Sequence, residues 1–150
     1  MSHSFVKIGI HAIRATKERT PLIKHGIKVQ VFNYMKSQFV DIRVSCINYK
    51  WNADHVHCLF LINQQKSIAE VIKQIKGSTS YWVNEQNLIE EKFAWQTGYA
   101  AFSVSESQFD KVFNYIKNQK PHHTKTSFSE EYDNFMKLHG LEDKSKQPNG

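Results

Sequence analysis

The stretch Asp54-His55-Val56-His57-Cys58-Leu59-Phe60-Leu61-Ile62 decides how this chain can fold. It is rich in β-forming residues and runs into an unbroken apolar segment, so it predicts a buried strand. On a strand, side chains two residues apart point to the same face, roughly 6.5–7 Å apart along the backbone. His55 and His57 therefore share one face of a sheet, where two imidazoles can converge on one metal ion.

The segments before this strand predict a strand, a helix and a second strand. Alternating apolar residues predict strands over residues 6–15 and 40–46. Between them, Thr20-Pro21 is a helix-start signal, and the helix is expected to end near residue 37. A polar turn over residues 49–54 then leads to the strand of the two histidines.

The segments after this strand predict a helix, a strand and another helix. Ser67 and Glu70 form a capping-box pattern at the start of an amphipathic helix that extends to about residue 83. An aromatic-rich strand is predicted over residues 95–104. A second capping box at residues 105–108 precedes a helix that ends at Lys120-Pro121, and a short helix is expected over residues 129–139.

This order of elements predicts an α+β fold. Its first six elements form a split βαβ pattern, ferredoxin-like or RRM-like, with one antiparallel sheet and helices packed on one face. We expect a single domain over residues 1–140 and a polar, disordered tail over residues 141–150.

Composition narrows the class of protein and of partner. Of the 150 residues, 40% are hydrophobic, which suits a globular domain. No apolar run approaches the ~20 residues of a membrane span, and no signal-peptide pattern is visible. A cytoplasmic protein without a membrane partner is therefore expected. The net charge of +6 favours an anionic partner, of which nucleic acid is the most common.

The last long helix carries the remaining candidates for chemistry. Tyr115 and Gln119 are four residues apart, on one border of the apolar face, where side chains can reach a site on the sheet. Tyr115 is a candidate nucleophile and Gln119 a candidate oxygen ligand. Two imidazoles and an amide oxygen suit Mg²⁺ or Mn²⁺ with open positions for phosphate oxygens, rather than a closed zinc site.

Together these residues resemble the single-tyrosine HUH transposases, small enzymes of the insertion sequence 200/605 group and their REP-associated relatives. HUH stands for histidine, hydrophobic residue, histidine. The resemblance covers about residues 5–140, with Ala53 as a departure, because the family often has proline there. The matching segments are His11 with Thr16-Lys17-Glu18-Arg19, Asp54-His55-Val56-His57, Lys76-Gly77-Ser78, Trp95-Gln96-Thr97-Gly98-Tyr99, Ser103-Val104-Ser105 and Tyr115-Ile116-Lys117-Asn118-Gln119.

The resemblance implies an enzyme that cleaves and rejoins single-stranded DNA near hairpins. In that scheme His55, His57 and Gln119 hold Mg²⁺ or Mn²⁺, and Tyr115 attacks phosphorus to leave a 5′-phosphotyrosine. It also implies a homodimer, as in the insertion sequence members, while REP-associated relatives can be monomers; it further implies a bacterial or archaeal cytoplasm and no small-molecule cofactor. Tyr81, Trp82, Trp95 and Tyr99 are candidates for stacking on bases. The candidates for phosphate contacts are Arg14, Lys17, Arg19, Lys73, Lys76, Lys117, Lys120, His122 and His123.

Three other functions compete with this interpretation. A histidine-triad hydrolase needs a third alternating histidine, and that position is Leu59. A rolling-circle-type HUH nickase or relaxase usually has a third histidine, a second tyrosine, or a lysine one turn from the tyrosine. A domesticated hairpin-binding protein without transposition stays open, because intact candidate residues do not exclude a host role.

Overall fold

The computed structural model describes residues 4–118, 133, 136 and 137. The chain divides into two compact units, residues 1–119 and 120–150. In the second unit the three described residues are helical. The fold described below is that of the first unit. The predicted boundary between a domain and a tail near residue 140 lies outside the described residues.

A four-stranded antiparallel sheet organises the described part of the chain. Its strands are β1 (Ile8–Ala15), β2 (Ser45–Trp51), β3 (His55–Ile62) and β4 (Ala100–Val104), in the spatial order β2-β3-β1-β4. Every neighbouring pair is antiparallel. The predicted α+β class and split βαβ pattern are therefore confirmed, with the histidine strand β3 at the centre beside β1.

Two helices cover one face of this sheet, as predicted for the first six elements. They are α1 (Lys28–Asp41) and α2 (Ile68–Glu85). Since alternate residues of a strand point to opposite faces, the even-numbered positions of β1 and β3 meet these helices. The buried side chains of this layer include Ile10, Ala12, Val56, Cys58 and Phe60 from the strands, Val31, Met35 and Phe39 from α1, and Val71, Ile75 and Val83 from α2.

The seventh element, helix α3 (Phe109–Lys117), packs on the opposite face. There Val112 and Ile116 form a second apolar cluster with Leu59 and Val104. At Gly9 a Cβ would lie 3.2 Å from the Val104 carbonyl oxygen of the neighbouring strand, a tight contact, and 3.6 Å from the Phe109 ring, an ordinary one. The sheet is thus covered on both faces, and β3 is buried almost along its whole length.

The predicted start of the first helix at Thr20-Pro21 is wrong. Thr20 is extended, and its carbonyl accepts hydrogen bonds from the Thr16 hydroxyl at 2.7 Å and from the Leu22 amide at 2.8 Å. The Ile23 amide donates to the Ala53 carbonyl at 3.0 Å. These contacts hold the segment against the loop before β3, so the helix begins only at Lys28.

The predicted strand over residues 40–46 is displaced in the structure. Val40 and Asp41 are the last residues of α1, and Arg43 adopts a left-handed conformation (φ 59°). The Val44 amide donates to the Phe39 carbonyl at 3.0 Å, so the apparent alternation belongs to a helix end. The strand β2 begins at Ser45 and extends through much of the predicted turn.

The predicted fourth strand is shorter than expected, and the second capping box is absent. Trp95 makes only an isolated bridge to Thr16, and Gly98 has φ 90°, so the strand begins at Ala100. Ser105 makes no side-chain cap and contacts the Ser107 hydroxyl instead, at 3.1 Å. A short 3₁₀ turn over residues 106–108 leads into α3.

In the described part of the chain, no helix is long and apolar enough to cross a membrane. The predicted helix end at Lys120-Pro121 and most of the predicted helix over residues 129–139 lie outside the described residues.

The capping box at the start of α2 is confirmed and gives a testable prediction. The Glu70 amide donates to Ser67 Oγ at 3.1 Å, and the Ser67 amide donates to Glu70 Oε1 at 3.2 Å. We expect Ser67→Ala to lower the free energy of unfolding by about 1 kcal/mol, because an amide of the first turn loses its acceptor. Urea denaturation measures the change.

Ser105→Ala is the matched control, because Ser105 does not cap its helix. We expect this control to change stability by less than about 0.5 kcal/mol. Equal losses in the two variants would contradict the assignment of the cap to Ser67.

Candidate active site

Two histidines of β3 lie side by side on the face of the sheet that carries α3. The rings of His55 and His57 are 5.4 Å apart between centroids, in an edge-on arrangement. Both are buried, with 4% and 0% of their surface exposed. The placement of the pair on one face is as the spacing of two residues predicts.

His55 is held through both ring nitrogens. Its Nδ1 lies 2.6 Å from Asp54 Oδ1, and its Nε2 lies 2.9 Å from Asn52 Nδ2. A carboxylate accepts hydrogen bonds only, so Nδ1 carries the proton and Nε2 keeps its lone pair. Asp54 therefore fixes the tautomer in which Nε2 is the acceptor, and in this structure its lone pair accepts the hydrogen bond from Asn52 Nδ2, which a metal at Nε2 would have to displace. Such a carboxylate-histidine pair is the usual support of a metal-binding imidazole.

The loop before β3 is fixed by hydrogen bonds of its backbone. The Thr16 amide and hydroxyl both donate to the Asp54 carbonyl, at 2.9 and 3.1 Å. The Asn52 amide donates to the His55 carbonyl at 2.8 Å. The residues that orient His55 are thus anchored to the end of β1.

His57 is oriented by a third histidine, on the neighbouring strand. His11 Nε2 lies 3.2 Å from His57 Nδ1, and the two rings are 5.4 Å apart between centroids. His11 is fully buried. In the register of β1 and β3, His11 is opposite Leu59 and Ile13 is opposite His57, so both histidines face α3.

Tyr115 joins this cluster from α3. Its ring centroid is 6.2 Å from that of His57 and 6.4 Å from that of His11, edge-on in both cases. The helix is placed by its apolar residues and by Asn48, whose Nδ2 donates to the Phe113 carbonyl at 3.2 Å. The structure therefore brings together three of the predicted site residues, namely both histidines of β3 and the tyrosine of α3.

The family model described as "Transposase IS200 like" matches residues 4–119. The chain belongs to the IS200-like transposases. No curated protein matches the chain. The family assignment carries a transposase function, with DNA cleavage as its enzymatic activity.

Two solved structures resemble this family member. One is a protein assigned as a transposase from Deinococcus radiodurans R1, with TM-score 0.64, 21% identity, and coverage of 79% of this chain and 96% of the other. The second is a REP-associated tyrosine transposase bound to a REP hairpin, with TM-score 0.59, 10% identity, and coverage of 77% and 68%. At these identities the two structures support the fold.

The residues at the histidine cluster are compatible with a divalent ion. Among the described residues, no group of three or more histidine, cysteine, aspartate or glutamate side chains is arranged to hold a metal. The imidazole pair of this IS200-like transposase nevertheless offers two ring nitrogens as donors, of which Nε2 of His55 accepts a hydrogen bond from Asn52 in this structure. The third predicted ligand, Gln119, lies outside the described residues, so its role stays a prediction.

Those predicted DNA-contacting cations that the structure describes lie on different elements. Lys17 and Arg19 are exposed in the turn after β1, Lys73 is exposed on α2, and Lys117 is exposed on α3, across the sheet. Arg14 differs from all of them, because it is buried. Lys76 is half-buried, while Lys120, His122 and His123 lie outside the described residues.

The predicted stacking residues also separate into two groups. Trp95 is buried in the core, and Trp82 stacks on Tyr34 with ring centroids 4.6 Å apart. Both therefore have packing roles. Tyr81 and Tyr99 are exposed.

Sequence reasoning missed the roles of His11 and Asn52. The sequence indicates His11 only as part of a segment that resembles the first strand of the family. A usable signal was present, since a histidine flanked by apolar residues on a predicted buried strand needs a hydrogen-bond partner. The identity of that partner depends on the register of β1 and β3, because His11 and His57 are 46 residues apart in the chain.

The hydrogen bond between His11 and His57 gives a prediction about stability. His11→Leu removes a bond between two buried rings, so we expect the free energy of unfolding to fall by about 1–3 kcal/mol. Urea denaturation again measures the change. His25→Leu, at an exposed histidine, is the control and should leave stability unaltered within error. Equal stabilities of the two variants would show that the bond contributes nothing.

Proposed function

We propose that this transposase cleaves and rejoins single-stranded DNA, with Tyr115 as the nucleophile. The observation that carries the proposal is the edge-on approach of the Tyr115 ring to His57, 6.2 Å between centroids. A tyrosine, a histidine pair with a fixed tautomer and a third buried histidine meet on one face of the sheet. This combination suits phosphoryl transfer through a covalent intermediate.

The chemical step exchanges one phosphodiester for another. The Tyr115 oxygen attacks phosphorus and loses its proton, and the bond from phosphorus to the 3′ oxygen breaks. The 3′ oxygen takes up a proton and leaves as a hydroxyl, while the 5′ phosphate remains on the tyrosine. Attack by a 3′-hydroxyl of another DNA end reverses the step and releases Tyr115. No nucleotide cofactor is needed, because each bond broken is replaced by an equivalent one.

We propose that His55, His57 and Gln119 hold Mg²⁺ or Mn²⁺ beside Tyr115. A bound divalent ion supplies Lewis-acid polarisation of the scissile phosphate. Asp54 keeps Nε2 of His55 unprotonated, and His11 restricts the rotation of the His57 ring. Because both imidazoles are buried and hydrogen-bonded, their geometry is set before DNA arrives, which lowers the cost of reaching the reactive arrangement.

The proposed partner is single-stranded DNA next to a hairpin. The support is the family assignment, the net charge of +6 and the similar fold of a REP-associated tyrosine transposase that is bound to a REP hairpin. The homodimer implied by the family resemblance is part of the proposal. Tyr115 lies beside His57 of the same chain, so the cluster itself can form within one protomer.

The assignment of the nucleophile gives a testable prediction. We expect Tyr115→Phe to abolish a covalent protein–DNA adduct while leaving hairpin affinity within a few-fold, because only the attacking oxygen is removed. Single-stranded DNA from the regions flanking the gene is incubated with protein and Mg²⁺ or Mn²⁺ and separated on a denaturing gel. A native gel gives the affinity.

Tyr81→Phe is the matched control, because Tyr81 is exposed on α2 and lies outside the cluster. It should form adduct at the wild-type rate. An adduct that persists in Tyr115→Phe contradicts the assignment of the nucleophile. Hairpin binding without any adduct in the wild type would instead favour a binding protein.

The proposed metal site gives a further prediction. We expect chelation to abolish cleavage, because it removes the ion. We expect His57→Ala to abolish cleavage and to weaken Mn²⁺ binding measured by electron paramagnetic resonance, because one imidazole donor is lost. His25→Ala, at an exposed histidine, should change neither quantity. Cleavage at the full rate in excess chelator would rule out the proposed role of the metal.

A further inference from the structure

We propose that Lys50 is a catalytic residue of this transposase, whose ammonium group contacts the scissile phosphate of the bound DNA strand. The inference rests on the proposed function, because it assigns a cation to the phosphate that Tyr115 attacks. Sequence patterns give no sign of this role, since residue 50 falls in the segment predicted as a polar turn. In the structure it belongs to β2.

Lys50 is on the face of the histidine cluster because of its position in β2. In the antiparallel pairing of β2 with β3, it is directly opposite His57. Directly opposite residues of two antiparallel strands share a face of the sheet, with Cβ atoms about 5 Å apart. The Lys50 side chain therefore starts on the face that carries α3, beside one of the two histidines proposed to hold the metal.

The two neighbours of Lys50 on this face support the placement. Asn48, two residues before it, donates through Nδ2 to the Phe113 carbonyl of α3 at 3.2 Å. Asn52, two residues after it, continues the strand pairing through its amide and lies with Nδ2 2.9 Å from Nε2 of His55. Since alternate residues of a strand share a face, Lys50 lies between a contact to α3 and a contact to the histidine pair.

Lys50 is a half-buried cation without an acidic partner in the described part of the chain. The ion pairs there join Lys7 to Glu106 and Asp54 to His55. Within the four described strands, β1 and β2 each contain one lysine or arginine, and Arg14 of β1 is on the opposite face. Lys50 is therefore the strand cation that can act on a phosphate at the histidine cluster.

A second cation at the same edge of the sheet adds to the requirement for an anion. β2 is an edge strand, so the long Lys50 side chain can extend either over the cluster or toward Lys28, where α1 begins. Burial lowers the pKa of Lys28, and the positive charge of Lys50 lowers it further. The two ammonium groups therefore repel each other, and a phosphate beside His57 would attract Lys50 to the cluster.

The position of Lys50 suits stabilisation of the transition state. Attack by the Tyr115 oxygen requires the scissile phosphate to lie between the tyrosine and the histidine pair, with negative charge spread over its non-bridging oxygens. An ammonium group donates hydrogen bonds to such oxygens and keeps its proton throughout the reaction. The bonds formed and broken remain those from phosphorus to the tyrosine oxygen and to the 3′ oxygen.

The test is the single-turnover rate of adduct formation at saturating single-stranded DNA, measured on the full chain with Mn²⁺. We expect Lys50→Met to slow the reaction by about 10²-fold, as is usual when one group that stabilises transition-state charge is removed. Lys50→Arg keeps the charge and should restore most of the rate. Lys28→Met, which removes the other cation of this edge, is the matched control and should keep the rate within a few-fold.

A binding measurement identifies the phosphate that Lys50 contacts. In the Tyr115→Phe background the strand stays intact, and a methylphosphonate at the mapped cleavage position removes the charge of the scissile phosphate. We expect this replacement to weaken binding when Lys50 is present and to have a much smaller effect when Lys50→Met is added, because interacting groups are not additive. Lys50→Gln replaces Lys50→Met if thermal unfolding shows that the latter folds poorly.

Each outcome decides the proposal. A wild-type rate in Lys50→Met overturns it, as does a methylphosphonate effect that is the same with and without Lys50. Equal losses of rate and of thermal stability in Lys50→Met and Lys50→Arg overturn it, because Lys50 would then only pack the sheet edge.

Two outcomes concern the DNA and the reaction as a whole. Equal losses of DNA affinity and of rate in Lys50→Met and Lys28→Met also overturn the proposal, because they indicate general attraction of DNA to this edge. A wild-type protein that forms no adduct refutes the proposed cleavage, and the catalytic role of Lys50 with it. A wild-type adduct that forms equally fast in Lys50→Met refutes the role of Lys50 alone.

Discussion

The antiparallel pairing of β1 with β3 is the constraint on which the other features depend. These two strands are central in the sheet, and their register sets Ile13 opposite His57 and Arg14 opposite Val56. A shift of one residue would turn every side chain to the other face. It would separate His11 from His57 and move Arg14 out of the layer below α1 and α2. Both strands are covered on both faces, so the register decides which side chains meet α3 and which meet α1 and α2.

The two faces of the sheet have different chemistry, and this difference organises the functional groups. The face under α1 and α2 is a large apolar core that also holds one cation, Arg14. The face under α3 has a small apolar cluster and a polar one, where Tyr115 meets the histidines. The Thr16 hydroxyl and the Asn48 side-chain amide donate to the Asp54 and Phe113 carbonyls, and so tie the loop before β3 and helix α3 to the sheet.

The predictions that agree with the structure are those that depend on interactions between residues close together in the sequence. The strand of the two histidines has the predicted bounds, and the cap at Ser67 is present, since both depend on neighbouring residues. The start of the first helix is misplaced because a distant contact overrides a local signal. Thr20-Pro21 starts no helix because the Thr16 hydroxyl and the Ala53 carbonyl hold that segment extended.

The sequence by itself determined the class of fold, the family and the pairing of His55 with His57 on one face, because periodicity and short motifs are local properties. It also identified Tyr115 as the candidate nucleophile, through a motif of the last helix. Only the tertiary structure decided that α3 lies across the sheet from the other helices, that His11 supports His57, and that Arg14 is buried beside Trp95. Each of these depends on strand register and on contacts between residues far apart in the chain, which a local pattern does not encode.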